Sequence, residues 1–224
     1  MLYKNLLSCI AYLILPLCAL AQPQFKGGSS ALDAYLTKNI IYPEYSRQNC
    51  IAGVVQVAFK LDKTGKVYEA KVQQGLGIDL DDEALRVIKM TSNKWELPAG
   101  YEGNATLILP VRFTPDYSRC ALNSNQVSQA TAINNYLARE ELQNAVTNYY
   151  KNKYLGKADT TKQAEIDRLK KQLGFDEAFI TDVLQQADEK QRQGDKEGAC
   201  ETWQFIRNIG SNRADDLITK YCGK

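Results

Sequence analysis

Residues 40–73 read Ile40-Ile-Tyr42-Pro43-Glu-Tyr-Ser-Arg-Gln-Asn-Cys50-Ile-Ala-Gly53-Val-Val-Gln-Val-Ala-Phe59-Lys-Leu-Asp62-Lys-Thr-Gly65-Lys-Val-Tyr-Glu-Ala-Lys-Val-Gln73. Tyr42-Pro43 separates two helical patterns, because proline disfavours helix in the residue before it yet suits a first helical turn. After Gly53 the period changes to two. Val55, Val57, Phe59 and Leu61 fall on one face and Val54, Gln56, Ala58 and Lys60 on the other, as a strand with one buried side requires. Asp62-Lys63-Thr64-Gly65 supplies a polar turn, and residues 66–73 return as a second alternating strand. A short helix followed by a β-hairpin is expected.

Working outward, Ser29 or Ser30 can cap a helix carrying Leu32, Tyr35, Leu36 and Ile40 at helical spacing. Residues 22–28 form a polar lead-in. Beyond the hairpin, Asp79 is the expected N-cap of a helix to about Met90. Asp81, Asp82 and Glu83 suit the positive end of its dipole, and Leu80, Ala84 and Ile88 share a face with Leu85 beside it. Residues 91–104 read as loop, and residues 105–113 as a third strand with Leu107, Leu109, Val111 and Phe113 inward. A helix between the second and third strands makes those two parallel, so placing the first in the centre makes all paired neighbours antiparallel. The fold class is then α+β, a small three-stranded antiparallel sheet of order 2-1-3 with helices on one face, followed by an all-α domain. Pro110 fits an edge strand because it cannot donate to a ladder.

Pro115 ends the strand, and residues 116–128 read as a linker. Helical spacing then fills residues 126–155, 160–173, 176–193, 196–209 and 212–222, punctuated by glycines. Gly194-Asp195, Ala199, Trp203 and Ile206 resemble the end of a tetratricopeptide or Sel1-like repeat. The expected division is 1–21 signal peptide, 22–120 first domain and 121–224 helical domain.

The runs Phe25-Lys26-Gly27-Gly28, Asn39-Ile40-Ile41-Tyr42-Pro43, the Gly53 strand and the Leu61-Asp62-x-x-Gly65 turn resemble the C-terminal domain of TonB energy transducers. So do Leu80-Asp81-x-Glu83-Ala84-Leu85, Lys94-Trp95 and Leu109-Pro110-Val111-x-Phe113, in order, over roughly residues 23–113. Tyr42, Pro43, Gly53, Gly65 and Trp95 are the motif positions. The resemblance implies a periplasmic module that pairs an extended TonB-box peptide of an outer-membrane receptor with its third strand. Thr106, Ile108, Pro110 and Arg112 would then face the peptide. Full transducers carry an uncleaved membrane helix and a long proline-rich spacer, whereas residues 22–28 would reach only about 25 Å. The alternative is an adaptor whose helical domain recruits a partner without transducing energy. The third-strand edge would be closed if the linker or the helix over 126–155 lay on it.

The 28 basic and 26 acidic side chains nearly cancel, and neither residues 22–120 (net +1) nor residues 121–224 (net 0) is a polyelectrolyte. No nucleic-acid partner is expected. Lys4, an apolar run from Leu6 and the small residues of Ala19-Leu20-Ala21 read as an export signal cleaved before Gln22; retention as an inner-membrane anchor is the alternative. Cys50, Cys120, Cys200 and Cys222 remain in a mature chain, an even number pointing to two disulfides. Cys200 and Cys222 are equidistant from residue 211 in the Gly210-Ser211-Asn212 turn, so an antiparallel helix pair sets them level. Cys50 with Cys120 is the second expected pair.

The chain has no histidine. That removes Ser-His and Cys-His nucleophile pairs, imidazole metal ligands and the commonest general base, so no enzyme is expected. Asp79, Asp81, Asp82 and Glu83 are explained by helix capping, and no metal, cofactor or small-molecule substrate is implied. Gly75-Leu76-Gly77 lacks the further glycine or lysine of a phosphate loop. Tyr149, Tyr150 and Tyr154 stand at helical spacing and read as packing residues.

Overall fold

The computed structural model describes residues 22–116, 118 and 128–223. The segment read as an export signal, residues 1–21, and Cys120 lie outside the described residues. In chain order the elements are β1 (Gln24–Phe25), α1 (Gly28–Asn39), α2 (Glu44–Gln48), β2 (Gly53–Leu61), β3 (Val67–Gln74), α3 (Asp79–Lys89), β4 (Trp95–Glu96) and β5 (Thr106–Phe113). Then come α4 (Gln129–Tyr154), a 3-10 turn (Thr160–Lys162), α5 (Gln163–Gln172), α6 (Glu177–Arg192), α7 (Lys196–Asn208) and α8 (Asp215–Tyr221).

The hairpin strand β2 is the centre of a three-stranded antiparallel sheet, with β3 on one side and β5 on the other. Val55, Val57, Phe59 and Leu61 are at most 1% exposed, so the period-two reading places the core face correctly. Leu32 and Leu36 of α1 and Leu80, Ala84, Val87 and Ile88 of α3 close over that face. Val87 is fully buried where Leu85 was expected; Leu85 is only partly covered.

A second sheet escaped the sequence reading. β1 and β4 form a two-stranded antiparallel ribbon with Phe25 opposite Trp95, inside segments read as lead-in and loop. Counting these strands, the main sheet is ordered β3-β2-β5. Two-residue strands are too short to show alternation, so no period could reveal them. Their pairing is fixed by side chains: the Phe25 ring stands edge-on to Trp95 at 5.7 Å and lies 5.6 Å from Tyr35.

The helix starts also differ. Gly27, with φ 86°, is the N-cap of α1, and neither Ser29 nor Ser30 caps it, since the helix already begins at Gly28. Ile78, not Asp79, occupies the N-cap of α3. Asp79 is turned to Ser46, accepting its hydroxyl and amide protons. Asp81 accepts from the amides of Leu76 (2.9 Å) and Gly77 (2.8 Å), tying down the strand-to-helix loop. A carboxylate at the start of a helix has competing donors in the loop behind it, and here those donors win.

α4 is 26 residues long, about 39 Å at helical rise, and it serves two cores. Ala132, Ile133 and Tyr136 pack against the sheet unit, whereas Val146, Tyr149 and Tyr150 join Ile180, Trp203 and Ile206 in a second core built by α4 to α8. Tyr149 and Tyr150 are buried; Tyr154 is 46% exposed, with the Arg207 guanidinium over its ring at 4.7 Å. Cys200 and Cys222 are bonded, with Cα atoms 5.6 Å apart. Cys50 is disulfide-bonded as well.

Gly210 follows α7 at φ +83°, and a Cβ there would overlap the Tyr150 ring, which joins α4 to this turn. Gly174 has a similar φ of +70° but open space around its Cβ position. Gly174→Ala therefore meets only the left-handed penalty of about 1–2 kcal/mol, while Gly210→Ala adds overpacking of about 1–3 kcal/mol. Urea unfolding should rank G210A below G174A by at least about 1 kcal/mol; equal losses would show that Tyr150 yields without cost.

Candidate peptide-binding edge

β5 pairs with β2 from Gly53 opposite Phe113 to Lys60 opposite Thr106. Its other edge carries no backbone hydrogen bond to another described residue. Val111 and Phe113 are buried in the core and Leu107 and Leu109 half-buried, while Thr106, Ile108, Pro110 and Arg112 are exposed on the opposite face. In an antiparallel ladder the N–H and C=O of one residue point to the same side, and successive residues alternate. Pro110, opposite Gln56, has no N–H and is tolerated where that group would point outward. The amides of Thr106, Ile108 and Arg112 share its parity and thus face the open edge.

The motif residues do not gather at this edge; they build what holds it. Tyr42 donates its hydroxyl proton to the Ile51 carbonyl and stands edge-on to Phe113 at 5.9 Å, under the end of β5. Pro43 is the N-cap of α2. Gly53 opens β2 where a side chain would overlap Leu76. Gly65 closes the hairpin turn, its amide 3.0 Å from the Asp62 carbonyl, while the Asp62 carboxylate takes the amides of Thr64 and Lys66. Trp95 is buried against Phe25 and Phe59, and its indole N–H reaches the Thr91 hydroxyl at 3.0 Å. Among the described residues no group of histidine, cysteine or acidic side chains is arranged to hold a metal ion, and no helix is long and apolar enough to cross a membrane.

Residues 38–115 match the family described as Gram-negative bacterial TonB protein C-terminal. The match spans about a third of the chain and includes the hairpin, α3 and β5. A solved structure, the NMR solution structure of Helicobacter pylori TonB-CTD, aligns over 38% of this chain and 90% of its own, with 23% identity and a TM-score of 0.33. No curated protein matches the chain. No comparison assigns the helical region to a repeat family.

The helix side of the TonB-like unit is not free. Arg86 of α3 lies between the units: its guanidinium binds both oxygens of Glu83 at 2.7 Å, the Asn39 carbonyl at 2.7 Å, Gln193 at 3.1 Å and Asp195 at 3.3 Å. Asp195 is also the N-cap of α7, taking the Gly198 amide. Arg47 reaches Asp182 at 3.2 Å, and the Tyr45 hydroxyl donates to the Ala132 carbonyl at 2.6 Å. A cleft of ≈ 830 Å³ remains beside this contact. The sequence reading missed the contact, although the Glu83-x-x-Arg86 spacing is a signal for an intrahelical pair.

Burial pushes the Glu83 carboxyl up, against the lowering pull of Arg86 and of the Ile41 amide that Glu83 accepts at 2.7 Å. Burial also raises Asp82, with Asp81 adding repulsion, and lowers the Lys190 ammonium. Arg86→Met keeps the stem but leaves a buried carboxylate without its cation, a change that costs about 3–5 kcal/mol when the acid is charged. Without Arg86 the folded-state pKa of Glu83 rises further above its unfolded value. Acidification protonates it first in the folded state, so the penalty is full above that pKa and shrinks as pH falls from it toward the unfolded value. Urea titrations should show R86M far below wild type at pH 7 and closer to it near pH 4.5. A gap independent of pH would mean that loss of Arg86 does not raise the folded-state pKa of Glu83.

Proposed function

We infer that the TonB-like unit is a protein-binding module that adds an extended peptide, of the TonB-box type carried by outer-membrane transport receptors, to the open edge of β5, in TonB-dependent transport. The observation that carries this reading is the free edge: the helical unit packs on the helix side of the domain, so among the described residues the strand with outward amides stays open. Strand addition uses the peptide's own backbone for affinity and leaves selectivity to the side chains that flank it. Here those are Thr106, Ile108 and Arg112, with Pro110 removing one donor and shortening the ladder. An exported location, after cleavage near Ala21, accompanies the proposal.

The test is a titration of the full chain with a receptor TonB-box peptide, read by amide NMR shifts. Shifts should concentrate on residues 106–113, with dissociation constants on the order of 0.1–1 mM for a short ladder. Ile108→Pro, which deletes an outward donor and spares the core face, should weaken binding about tenfold or more. Unchanged β5 amides at millimolar peptide, with the protein folded, would rule the edge out as the site.

A further inference from the structure

Along α4, Tyr136, Arg139, Gln143, Val146 and Tyr150 recur at intervals of three and four, the spacing of one helix face. Its ends are apolar and lie in the two cores; its middle is polar. Where Arg139 and Gln143 interrupt the stripe, α4 does not close on its neighbours, and a cavity of ≈ 300 Å³ opens between the units.

Its walls have two characters. Tyr45, Tyr136, Phe179, Val183 and Phe205 supply apolar and aromatic surface, with Tyr45 and Tyr136 edge-on at 5.1 Å and Phe179 6.4 Å from Phe205. The charged side chains of the lining are Glu44, Asp79, Glu140, Glu201 and Arg139, and the Lys190 ammonium stands beside them, donating to the lining Thr202 hydroxyl at 2.9 Å. Arg139 is already committed: it donates to the Leu173 carbonyl at the end of α5 at 2.6 Å and lies over the Phe175 ring at 5.6 Å. Glu44 pairs with Arg47, and Asp79 takes the Ser46 protons. Glu140 and Glu201 are exposed at the rim. Burial first, and then the carboxylates of Asp79, Glu140 and Asp82, push the Tyr136 phenol up, against the pull of Arg139.

We propose that this cavity receives the side chain of an arginine from a peptide partner, its aliphatic stem against Tyr136, Phe179 and Phe205 and its guanidinium among Asp79, Glu140 and Glu201. A volume at the small end of ligand cavities fits one long side chain. Guanidinium is favoured over ammonium because its plane stacks on rings and its fork matches carboxylates. The site is separate from β5 and does not rest on the strand-addition reading.

The full chain, with disulfides intact, is titrated with acetyl-Ala-Arg-Ala-amide and with the same peptide carrying citrulline, which keeps the shape and removes the charge. The expected result is movement of the Val183 methyl and the Phe179 and Phe205 ring signals, saturating at about 1–10 mM, with the citrulline peptide at least about tenfold weaker. Glu140→Gln with Glu201→Gln, both at exposed positions, should weaken the arginine peptide about five- to tenfold. No response at 10 mM, or equal affinity for both peptides, overturns the proposal. So does saturation by phenethylammonium where the arginine peptide has no effect, which makes the cavity a site for small amines. Shifts confined to the amides of 106–113 also overturn it, and leave the β5 reading standing.

Discussion

Both units of this chain depend on one helix. α4 finishes the TonB-like core with Ala132, Ile133 and Tyr136, and begins the helical core with Val146, Tyr149 and Tyr150. A helix is stiff over such a length, so the units cannot reorient without exposing apolar surface from one of them. Each buried methylene is worth about 0.8 kcal/mol, and several side chains at either end of α4 are at stake. The buried Arg86 contact works differently. It contributes little net free energy, because desolvation opposes it, but it tolerates few geometries and so fixes which face of α3 meets the start of α7.

The hairpin was legible because one face of β2 is dry. A strand with four inward residues at most 1% exposed must alternate, and alternation survives in a single sequence. β5 also alternates, with Val111 and Phe113 buried and Leu107 and Leu109 half-buried, and Pro110 marks it as an edge. The β1–β4 ribbon has no such record: its strands are two residues each, and the Phe25–Trp95 contact spans 70 positions. The caps of α1 and α3 were misplaced for another reason. Ser29, Ser30 and Asp79 have the right chemistry for an N-cap, but Gly27 reaches a left-handed conformation that starts α1 earlier, and Ser46 draws Asp79 toward α2.

The two halves of the surface differ in the same way. The β5 edge is a property of strand order, which follows from hairpin and crossover rules applied to local pattern. The contact between the units joins Arg47 to Asp182 and Arg86 to Asp195, pairs more than a hundred positions apart. Charged residues on helices read as solvent-facing unless a partner surface is known, and nothing in α3 alone shows that Glu83 is only 5% exposed. The polar break at Arg139 and Gln143 was available in the sequence, since the two keep the spacing of the stripe but not its apolar character.

A strand edge left unpaired, as that of β5 is among the described residues, is a standing invitation to self-assembly, since two copies can join sheets through its outward amides. Pro110 lies in the middle of that edge and Arg112 two residues on. Against another copy, the proline leaves a gap in the ladder. A short guest can fit its donors and acceptors around such a gap, whereas a continuous strand-to-strand seam cannot. Under the proposed reading, Pro110 acts as a gatekeeper of this edge, tolerating a short peptide while making the strand a poor template for aggregation.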